Sequence, residues 1–301
     1  MTIGWDDVLT ATTPWENRGG RWYKREDYCA PLGYGKVNGA KFRQCLFLLN
    51  RAAEAGYSGI VTGASVLSPQ LPMSACIAEH VGLPLRIVIG GTTLDKAIRH
   101  SNVKIALDFG AEFRTIRVGY NPALQSAVTK DVEETGRYHL RYGISPDPDD
   151  DSVIAFHKVG AEQARNIPSD LRHLVIPCGS ANSTISILLG LSIYPHSLEK
   201  VTLIGIGPNR ESLIADRLDL FREKLGVSLP SSLEIEMHDL HSSGLVSYGK
   251  RVPQSLDGIT FHPTYEGKVV NHLLSHPDVA RGFTEGDSTT GLWIIGSEPK
   301  G

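Results

Sequence analysis

One lysine of this chain stands where its amine could do chemistry rather than face solvent. Lys41 follows a stretch rich in Gly and Asn and heads an apolar run of helical period in GYGKVNGAKFRQCLFLL, residues 33–49. A lysine amine becomes nucleophilic toward an aldehyde when burial or nearby cations favour its uncharged form, and Arg43 and Lys36 are close in sequence. An ordinary lysine in a first helical turn is the alternative, and the position alone leaves both open.

A second stretch has the composition of an anion-binding turn. In LVIPCGSANSTISILLGL, residues 174–191, an apolar strand runs into Gly-Ser-Ala-Asn-Ser at 179–183, and a helix follows at once. Small residues let the backbone approach an anion closely, and the free N–H groups of a helix start hold a phosphate without a lysine. The stretch predicts a phosphate site, with a plain strand-to-helix turn as the alternative.

Two further stretches carry patterns of a known family: RWYKREDYCAPLGYGKVNGAKFRQC at 21–45 and FHPTYEGK at 261–268. With the turn at 179–183, they resemble the pyridoxal-phosphate (PLP) enzymes of fold type II, above all the branch of aminocyclopropane-carboxylate deaminase and D-cysteine desulfhydrase. That branch carries Lys-Arg-Glu-Asp, then Gly-Asn-Lys-x-Arg, then Asp-Pro-x-Tyr-x-Gly-Lys. Here NGAKFR has the residues before the lysine rearranged, and His262 replaces the Asp. The resemblance spans nearly the whole chain.

The resemblance implies a role for each matched residue. Lys41 would form a Schiff base with PLP and take the α-proton of the substrate, and Tyr265 would act as an acid, a base or a positioning hydroxyl. Ser297, after the last strand, would contact the pyridine nitrogen and leave it largely unprotonated. The cup for the cofactor phosphate, in which two residues replace the usual glycines, would consist of Gly179, Ser180, Ala181, Asn182 and Ser183.

The segment in the place of the family's substrate loop departs from its relatives. Relatives carry Ser-Asn-His/Gln or Ser-Gly-Asn-Thr there, whereas residues 62–91 give Ser68, Pro69 and Gln70. Proline has no N–H and no side-chain amide, so the usual cofactor contact is missing and the grip on the substrate carboxylate is altered. The resemblance nonetheless implies that this loop and the FHPTYEGK stretch contact the substrate through Ser65, Ser68, Gln70 and Tyr265. Ser68 would also take part in proton transfer.

This altered loop leaves three hypotheses about the reaction. A loop that clamps the carboxylate in the plane of the cofactor ring favours loss of the α-proton, as in a lyase or deaminase acting on an amino acid. A loop that releases the carboxylate lets it leave as carbon dioxide, as in a PLP decarboxylase acting on an amino-acid group attached to a larger substrate. Phage enzymes that trim adducts on hypermodified thymidine in DNA illustrate the second case. A catalytically silent PLP-binding protein is the third.

Composition limits the class of protein. The 301 residues carry a formal charge of −3, with 41% hydrophobic and 21% charged residues, as in a soluble globular protein without an overall basic field for nucleic acid. The four cysteines form no CxxC pair, and the spacings HDLH and HLLSH lack the Glu of a zinc-protease motif, so we expect buried thiols and no metal. With no basic, apolar leader and no membrane span, we expect a cytoplasmic protein (host cytoplasm if viral), and the resemblance implies a homodimer.

The elements that must position these residues alternate regularly. An α/β fold with two domains follows, each with a parallel-rich twisted sheet flanked by helices, as in PLP fold type II. Residues 1–40 and 146–301 would form the larger, cofactor-binding domain and residues 41–145 the smaller domain with the substrate loop, with a solvated linker at 144–152. Buried strands are predicted at 58–63, 85–90, 113–118, 173–178, 201–206 and 292–296. Helices are predicted near 41–55, 71–81, 94–108, 122–137, 152–166, 183–191, 211–224 and 266–275.

Overall fold

A computed structural model describes residues 3–247 and 249–296 of the chain. These residues divide into two compact units. The larger unit comprises residues 3–34, Asn38–Lys41 and residues 157–296, and the smaller unit comprises Gly35–Val37 and Phe42–Phe156. The division near residue 156 falls within a helix, whereas the sequence places the boundary at 145 and 146.

Strands and helices alternate along most of the described chain. The strands are β1 (Trp15–Arg18), β2 (Arg21–Arg25), β3 (Ile60–Gly63), β4 (Leu85–Gly90), β5 (Glu112–Ile116), β6 (Tyr138–Leu140), β7 (His173–Cys178), β8 (Lys200–Gly205), β9 (Glu234–Asp239), β10 (Ser255–Leu256), β11 (Ile259–Thr260) and β12 (Thr290–Ile294). The α-helices are α1 (Lys41–Glu54), α2 (Gln70–His80), α3 (Leu94–Ala97), α4 (Ser101–Asp108), α5 (Asn121–Thr135), α6 (Asp150–Ala161), α7 (Asn182–Ile193), α8 (Glu211–Leu225), α9 (Glu266–Ser275) and α10 (Arg281–Glu285).

The larger unit is built on a six-stranded sheet in the order β1-β2-β12-β7-β8-β9. Only the β1–β2 pair of this sheet is antiparallel, and the other neighbours are parallel. Strand β12 packs Leu292 and Ile294 into a core that Val269, Val270 and Leu273 of α9 share. Because parallel strands end at one edge, the segments after β7, β8 and β12 lie at the same edge of the sheet.

The smaller unit is built on a four-stranded, entirely parallel sheet in the order β5-β4-β3-β6. Its strands are covered by helices, and Leu124 and Val128 of α5 pack on Val61 of β3 and Val88 of β4. The segments after β3, β4, β5 and β6 therefore share the carboxyl edge of this sheet. The predicted α/β fold class is confirmed.

Two local predictions are wrong. The predicted helix 94–108 is two helices, α3 and α4, because His100 has an extended backbone with φ of −87° and ψ of 128° that interrupts the first helix. The predicted solvated linker 144–152 is wrong at its ends, since Ile144 and Pro146 are buried and α6 begins at Asp150, whereas residues 148–151 are exposed as predicted. The carboxylate of Asp149 accepts a hydrogen bond from the Ser152 N–H at 2.8 Å, which explains how an acidic stretch starts this helix.

Two further features bear on the expectations from composition. All four cysteines are buried free thiols. None of the helices in the described residues combines the length and the apolar character that crossing a bilayer requires.

Candidate active site

Lys41 is delivered to the first position of α1 by a turn that only glycine fits. Gly39 has a φ of +115°, and a Cβ on this residue would lie 2.7 Å from the carbonyl oxygen of Ile295. The N–H of Gly39 donates to the Cys29 carbonyl at 3.0 Å, and the N–H of Ala40 donates to the Ile295 carbonyl at 2.6 Å. The backbone before Lys41 is therefore tied to the segment after β12, which fixes the start of α1.

The Lys41 amine reaches the turn that follows β7. Its Nζ donates a hydrogen bond to the Ser180 hydroxyl at 2.8 Å, although 139 residues separate the two along the chain. Lys41 is half-buried. The structure thus brings the predicted covalent residue and the predicted phosphate cup together within the larger unit.

The turn at 179–183 has the backbone of an anion cup even where its sequence departs from glycine. Ala181 adopts φ of +68° and ψ of −11°, in the left-handed region that favours glycine, and α7 begins at the next residue. The first N–H groups of a helix lack intrahelical partners, so the N-terminus of α7 presents donors at this turn. The Ser183 hydroxyl is buried and makes no hydrogen bond within the described residues. A buried hydroxyl without a partner at a helix start indicates a ligand with acceptor oxygens.

Tyr265 lies against the same turn. A Cβ built on Gly179 would be 3.8 Å from Cε1 of the Tyr265 ring, an ordinary van der Waals contact. On its other side the ring packs on His262, with ring centroids 4.7 Å apart. Burial lowers the pKa of His262 to about 4, and its Nδ1 accepts from the Thr264 N–H, so this residue is a neutral support for Tyr265. The structure therefore places Tyr265 beside the phosphate cup.

Glu266 is a functional candidate that the sequence reasoning missed. Its carboxyl is fully buried, and Oε1 accepts from the N–H groups of Ile295 and Gly296 at 2.6 and 3.2 Å. Oε2 makes no hydrogen bond in the part of the chain that the structure describes. Burial raises the pKa of Glu266 to about 8. A buried acid one residue after Tyr265, bonded to the segment that anchors Lys41, belongs to the same site.

Glu266 was hard to predict from the sequence, because its hydrogen-bond partners lie 29 and 30 residues away in the chain. The one available clue was a charged residue inside the FHPTYEGK motif, next to the tyrosine that the motif singles out. Ser297, the residue that the resemblance assigns to the pyridine nitrogen, lies outside the described residues.

The other predicted site residues belong to the smaller unit, in the segment between β3 and α2. Ser65 is exposed, and its hydroxyl accepts from the Leu67 N–H at 3.3 Å. Ser68 is buried, and its hydroxyl accepts from the Gln70 N–H at 3.2 Å, at the start of α2. Both hydroxyls keep a proton to donate, so both stay predicted substrate contacts.

Gln70 has a structural task that the sequence did not indicate. The side chain is buried, and its Nε2 donates to the Thr62 hydroxyl at 2.8 Å and to the Arg141 carbonyl at 3.3 Å. Its Oε1 accepts from the Gly143 N–H at 2.8 Å. Because every polar atom of the amide is bonded inside the smaller unit, Gln70 holds the turn after β6 rather than offering a free amide.

Comparison with known proteins identifies the family. No family model matches the sequence. A protein of Salmonella phage ViI named O-seryl-dTMP PLP-dependent decarboxylase is 33% identical over 362 aligned positions, which cover 99% of this chain and 84% of that protein. The chain belongs to the fold-type II PLP-dependent enzymes. A 1-aminocyclopropane-1-carboxylate deaminase of Pseudomonas syringae pv. tomato is 24% identical over 95% of this chain and 90% of that protein.

Solved structures agree on the fold. The crystal structure of an ACC deaminase homologue has a TM-score of 0.71 at 22% identity and covers 96% of this chain and 90% of that one. The processed form of threonine deaminase isoform 2 from Solanum lycopersicum has a TM-score of 0.60 at 14% identity, over 98% of this chain and 85% of that one. This fold-type II protein is therefore a PLP-dependent enzyme, a lyase of the deaminase or decarboxylase kind.

The residues present fit PLP. A phosphate needs donors at a helix start, and the buried Ser183 hydroxyl has no hydrogen-bond partner in residues 3–247 and 249–296. An aldehyde needs an amine, and the Lys41 Nζ lies at the same turn. A basic ring nitrogen needs a buried acid or hydroxyl, and Oε2 of Glu266 has no partner among the described residues.

Proposed function

We propose that this enzyme is a PLP-dependent decarboxylase acting on an amino acid that is attached to a nucleotide. The geometry of the substrate loop carries the proposal. Pro69 has no N–H, the Gln70 N–H is bonded to Ser68, and the Gln70 amide is bonded to Thr62, Arg141 and Gly143. Positions 69 and 70 thus offer no amide to clamp a substrate carboxylate, which leaves that group able to depart as carbon dioxide. The similarity to a protein named O-seryl-dTMP PLP-dependent decarboxylase gives independent support.

The proposed roles follow from the site. Lys41 would hold PLP through a Schiff base to its amine, and the N-terminus of α7 with Ser183 would hold the phosphate. Oε2 of Glu266 is available to the pyridine nitrogen, in place of or beside Ser297. When bound, PLP supplies an electron sink for the electron pair of a bond that breaks at the substrate α-carbon. Once the substrate amino group has replaced Lys41 on the aldehyde, the freed Lys41 amine, in its protonated form, would deliver a proton to the α-carbon as the bond to the carboxylate breaks and carbon dioxide leaves, with Tyr265 positioning the substrate.

A second candidate is a lyase or deaminase acting on a free amino acid, with Lys41 removing the α-proton. The position of Tyr265 favours it, because a hydroxyl-bearing ring against the phosphate cup is suited to acid–base work at a small substrate. The likeness to 1-aminocyclopropane-1-carboxylate deaminase supports it at lower identity.

One assay separates the candidates. Purified, PLP-loaded protein is incubated with O-seryl-dTMP and, separately, with free amino acids, and carbon dioxide, ammonia and keto acid are measured. We expect carbon dioxide from the nucleotide substrate without keto acid. Ammonia with keto acid from a free amino acid would instead establish the deaminase, and a coenzyme absorbance unmoved by any of these amines would indicate a silent PLP-binding protein.

We also propose a homodimer in the cytoplasm, or in the host cytoplasm if the source is viral. The support is the family, whose resemblance implies a dimer, together with the absence of a membrane-spanning helix among the described residues. Light scattering of the purified protein tests the assembly, and a monomeric mass would contradict it.

A further inference from the structure

Some exposed tyrosines of this protein pack against another aromatic ring, and others do not. Among the residues that the structure describes, four tyrosines are at least one-third exposed: Tyr34, Tyr57, Tyr120 and Tyr142, at 47%, 41%, 61% and 36%. Tyr34 and Tyr57 each pack edge-on against another tyrosine, with ring centroids 5.6 and 5.5 Å apart. The rings of Tyr120 and Tyr142 contact no aromatic ring and make no hydrogen bond within residues 3–247 and 249–296. Both of these unpartnered rings belong to the smaller unit.

The turn that carries Tyr142 is held in place. It follows β6, and Gln70 bonds to both sides of it through the Arg141 carbonyl and the Gly143 N–H. The Ser145 hydroxyl donates to the Tyr142 carbonyl at 2.8 Å and closes the turn. Tyr142 is therefore presented on a fixed backbone, and the residue that fixes it directly follows Ser68 and Pro69 of the substrate loop.

The same turn stores backbone strain. Ile144 has a φ of +53° and is almost fully buried, although a β-branched residue rarely adopts the left-handed region. Strain of this kind persists only where the surroundings enforce it, and it is concentrated at functional sites. The strained turn and its glutamine clamp together indicate that the direction of Tyr142 matters.

Tyr120 stands at the same carboxyl edge, after β5. The order β5-β4-β3-β6 puts three strand spacings, about 14 Å, between the ends of β5 and β6. The loop with Tyr120 is pressed against β4, since a Cβ on Gly90 would lie 2.1 Å from the Val118 carbonyl oxygen. Arg117 in this loop is exposed and makes no ion pair in the described part of the chain. As far as the structure describes the chain, this edge thus combines two exposed aromatic rings and an arginine without an ion pair.

We propose that this carboxyl edge is a nucleotide-binding surface, on which Tyr142 stacks against the base of the substrate and Arg117 with Tyr120 contacts the neighbouring phosphate and base. The inference rests on the proposed function, because it supplies the nucleotide part of that substrate with a binding site. Aromatic rings stack on bases of any sequence, and arginine pairs with phosphate oxygens. Tyr142 alone can serve a mononucleotide, whereas a contact about 14 Å away needs a further residue of a strand.

Binding of dTMP tests the surface without any reaction, because dTMP lacks the amino acid. Its affinity for the PLP-loaded protein is measured by titration calorimetry for the wild type and for Tyr142→Ala, Tyr142→Phe and Tyr57→Ala. We expect the alanine variant at 142 to bind about tenfold more weakly, since stacking on one ring is worth that much or more. The phenylalanine variant, which keeps the ring, and the control at 57 should bind like the wild type.

A thymidine oligonucleotide distinguishes the two sources of the nucleotide. If the substrate residue lies in DNA, Arg117→Ala and Tyr120→Ala should weaken oligonucleotide binding severalfold and leave dTMP binding unchanged. If both variants bind the oligonucleotide and dTMP as the wild type does, the surface is assigned to a free mononucleotide. The inference is overturned if wild-type protein does not bind dTMP at millimolar concentration, or if Tyr142→Ala binds as the wild type does. The decarboxylation assay is independent of this binding test. A protein that binds dTMP but releases no carbon dioxide from O-seryl-dTMP would contradict the proposed function and leave the nucleotide-binding surface standing.

Discussion

Two turns of this enzyme follow the carboxyl end of a parallel strand and lead into a helix, yet they differ in whether their polar side chains are hydrogen-bonded within the protein. In the turn at 179–183, after β7, the buried Ser183 hydroxyl has no hydrogen-bond partner among the described residues, and the Ser180 hydroxyl accepts a hydrogen bond from the Lys41 amine. The segment 64–70, after β3, bonds the Gln70 amide on all sides within the smaller unit. The Ser183 hydroxyl is thus left for a ligand, whereas the Gln70 amide is used by the fold.

This contrast separates the part of the site that resembles the family from the part that departs from it. Ala181 replaces a usual glycine but keeps a left-handed φ of +68°, so the backbone of the phosphate cup survives the change of residue. Pro69 and Gln70 replace the usual amide of the substrate loop, and no backbone adjustment restores the missing donors. This contrast supports the proposal that coenzyme binding is kept while the contact with the substrate carboxylate is lost, as a decarboxylase requires.

The largest expected effect is the loss of PLP affinity when a negative charge is placed in the predicted phosphate cup. Ser183→Asp places a carboxylate where a phosphate would bind, and like charges in contact are unfavourable by several kcal/mol, so affinity for PLP should fall about 100-fold. The fold should tolerate the change, because an acidic side chain in the first turn of a helix is favourable. PLP titration followed by absorbance measures the effect.

The matched control is Ser192→Asp, near the other end of α7, where the hydroxyl donates to the Leu188 carbonyl. It should bind PLP like the wild type. Equal affinity for PLP in the two variants would show that the phosphate does not bind at the turn at 179–183, and the contrast between the two turns would be refuted.

Removing the glutamine clamp should affect stability rather than coenzyme binding. Gln70→Ala leaves the Gly143 N–H and the Arg141 carbonyl without their partner, which we expect to lower the free energy of unfolding by about 2 kcal/mol. Urea unfolding measures the change. Gln125→Ala, which removes a half-exposed amide of the same unit, should change stability by about 0.5 kcal/mol or less. Unchanged stability with lost substrate affinity would show that Gln70 binds substrate instead.

The buried acid of the larger unit should make stability depend on pH. The folded pKa of Glu266, about 8, lies above its ordinary value of 4.5, so the folded chain keeps a proton that the unfolded chain has released. The contribution of this group is fully present below pH 4.5 and is lost as the pH rises toward 8. In PLP-free protein, the free energy of unfolding should therefore fall less between pH 5 and pH 8 for Glu266→Gln than for the wild type. Parallel pH profiles for the two proteins would contradict this account.

The smallest effect should have opposite signs in the two turns. Ala181→Gly relieves a left-handed backbone and should stabilise the protein by about 1 kcal/mol. Ala64, buried in the segment after β3, has no such backbone, so Ala64→Gly should destabilise by a similar amount, about 1 kcal/mol. Thermal unfolding of the two variants tests the pair, and a loss of stability in both would mean that Ala181 is not strained.

The sequence predicted the framework better than the side-chain partners. Periodicity placed β4 and β7 at their observed bounds, because buried parallel strands are continuous apolar runs. Strand β9 escaped prediction because it lies at the sheet edge and reads Glu-Ile-Glu-Met-His-Asp, with two of its acids paired to Lys200. Lys41, Tyr265 and the cup were predicted from motifs and lie together, whereas the tasks of Gln70 and Glu266 depend on partners far along the chain.

The central claim is that the Lys41 amine holds the coenzyme at the turn after β7. Purified protein loaded with PLP is reduced with borohydride and digested, and the modified peptide is identified by mass spectrometry beside the visible absorbance of the intact protein. The account predicts a Schiff-base absorption band in the wild type, its loss in Lys41→Ala, and a single pyridoxyl group on Lys41. A pyridoxyl group on any other lysine, or an absorption band that survives Lys41→Ala, would contradict it.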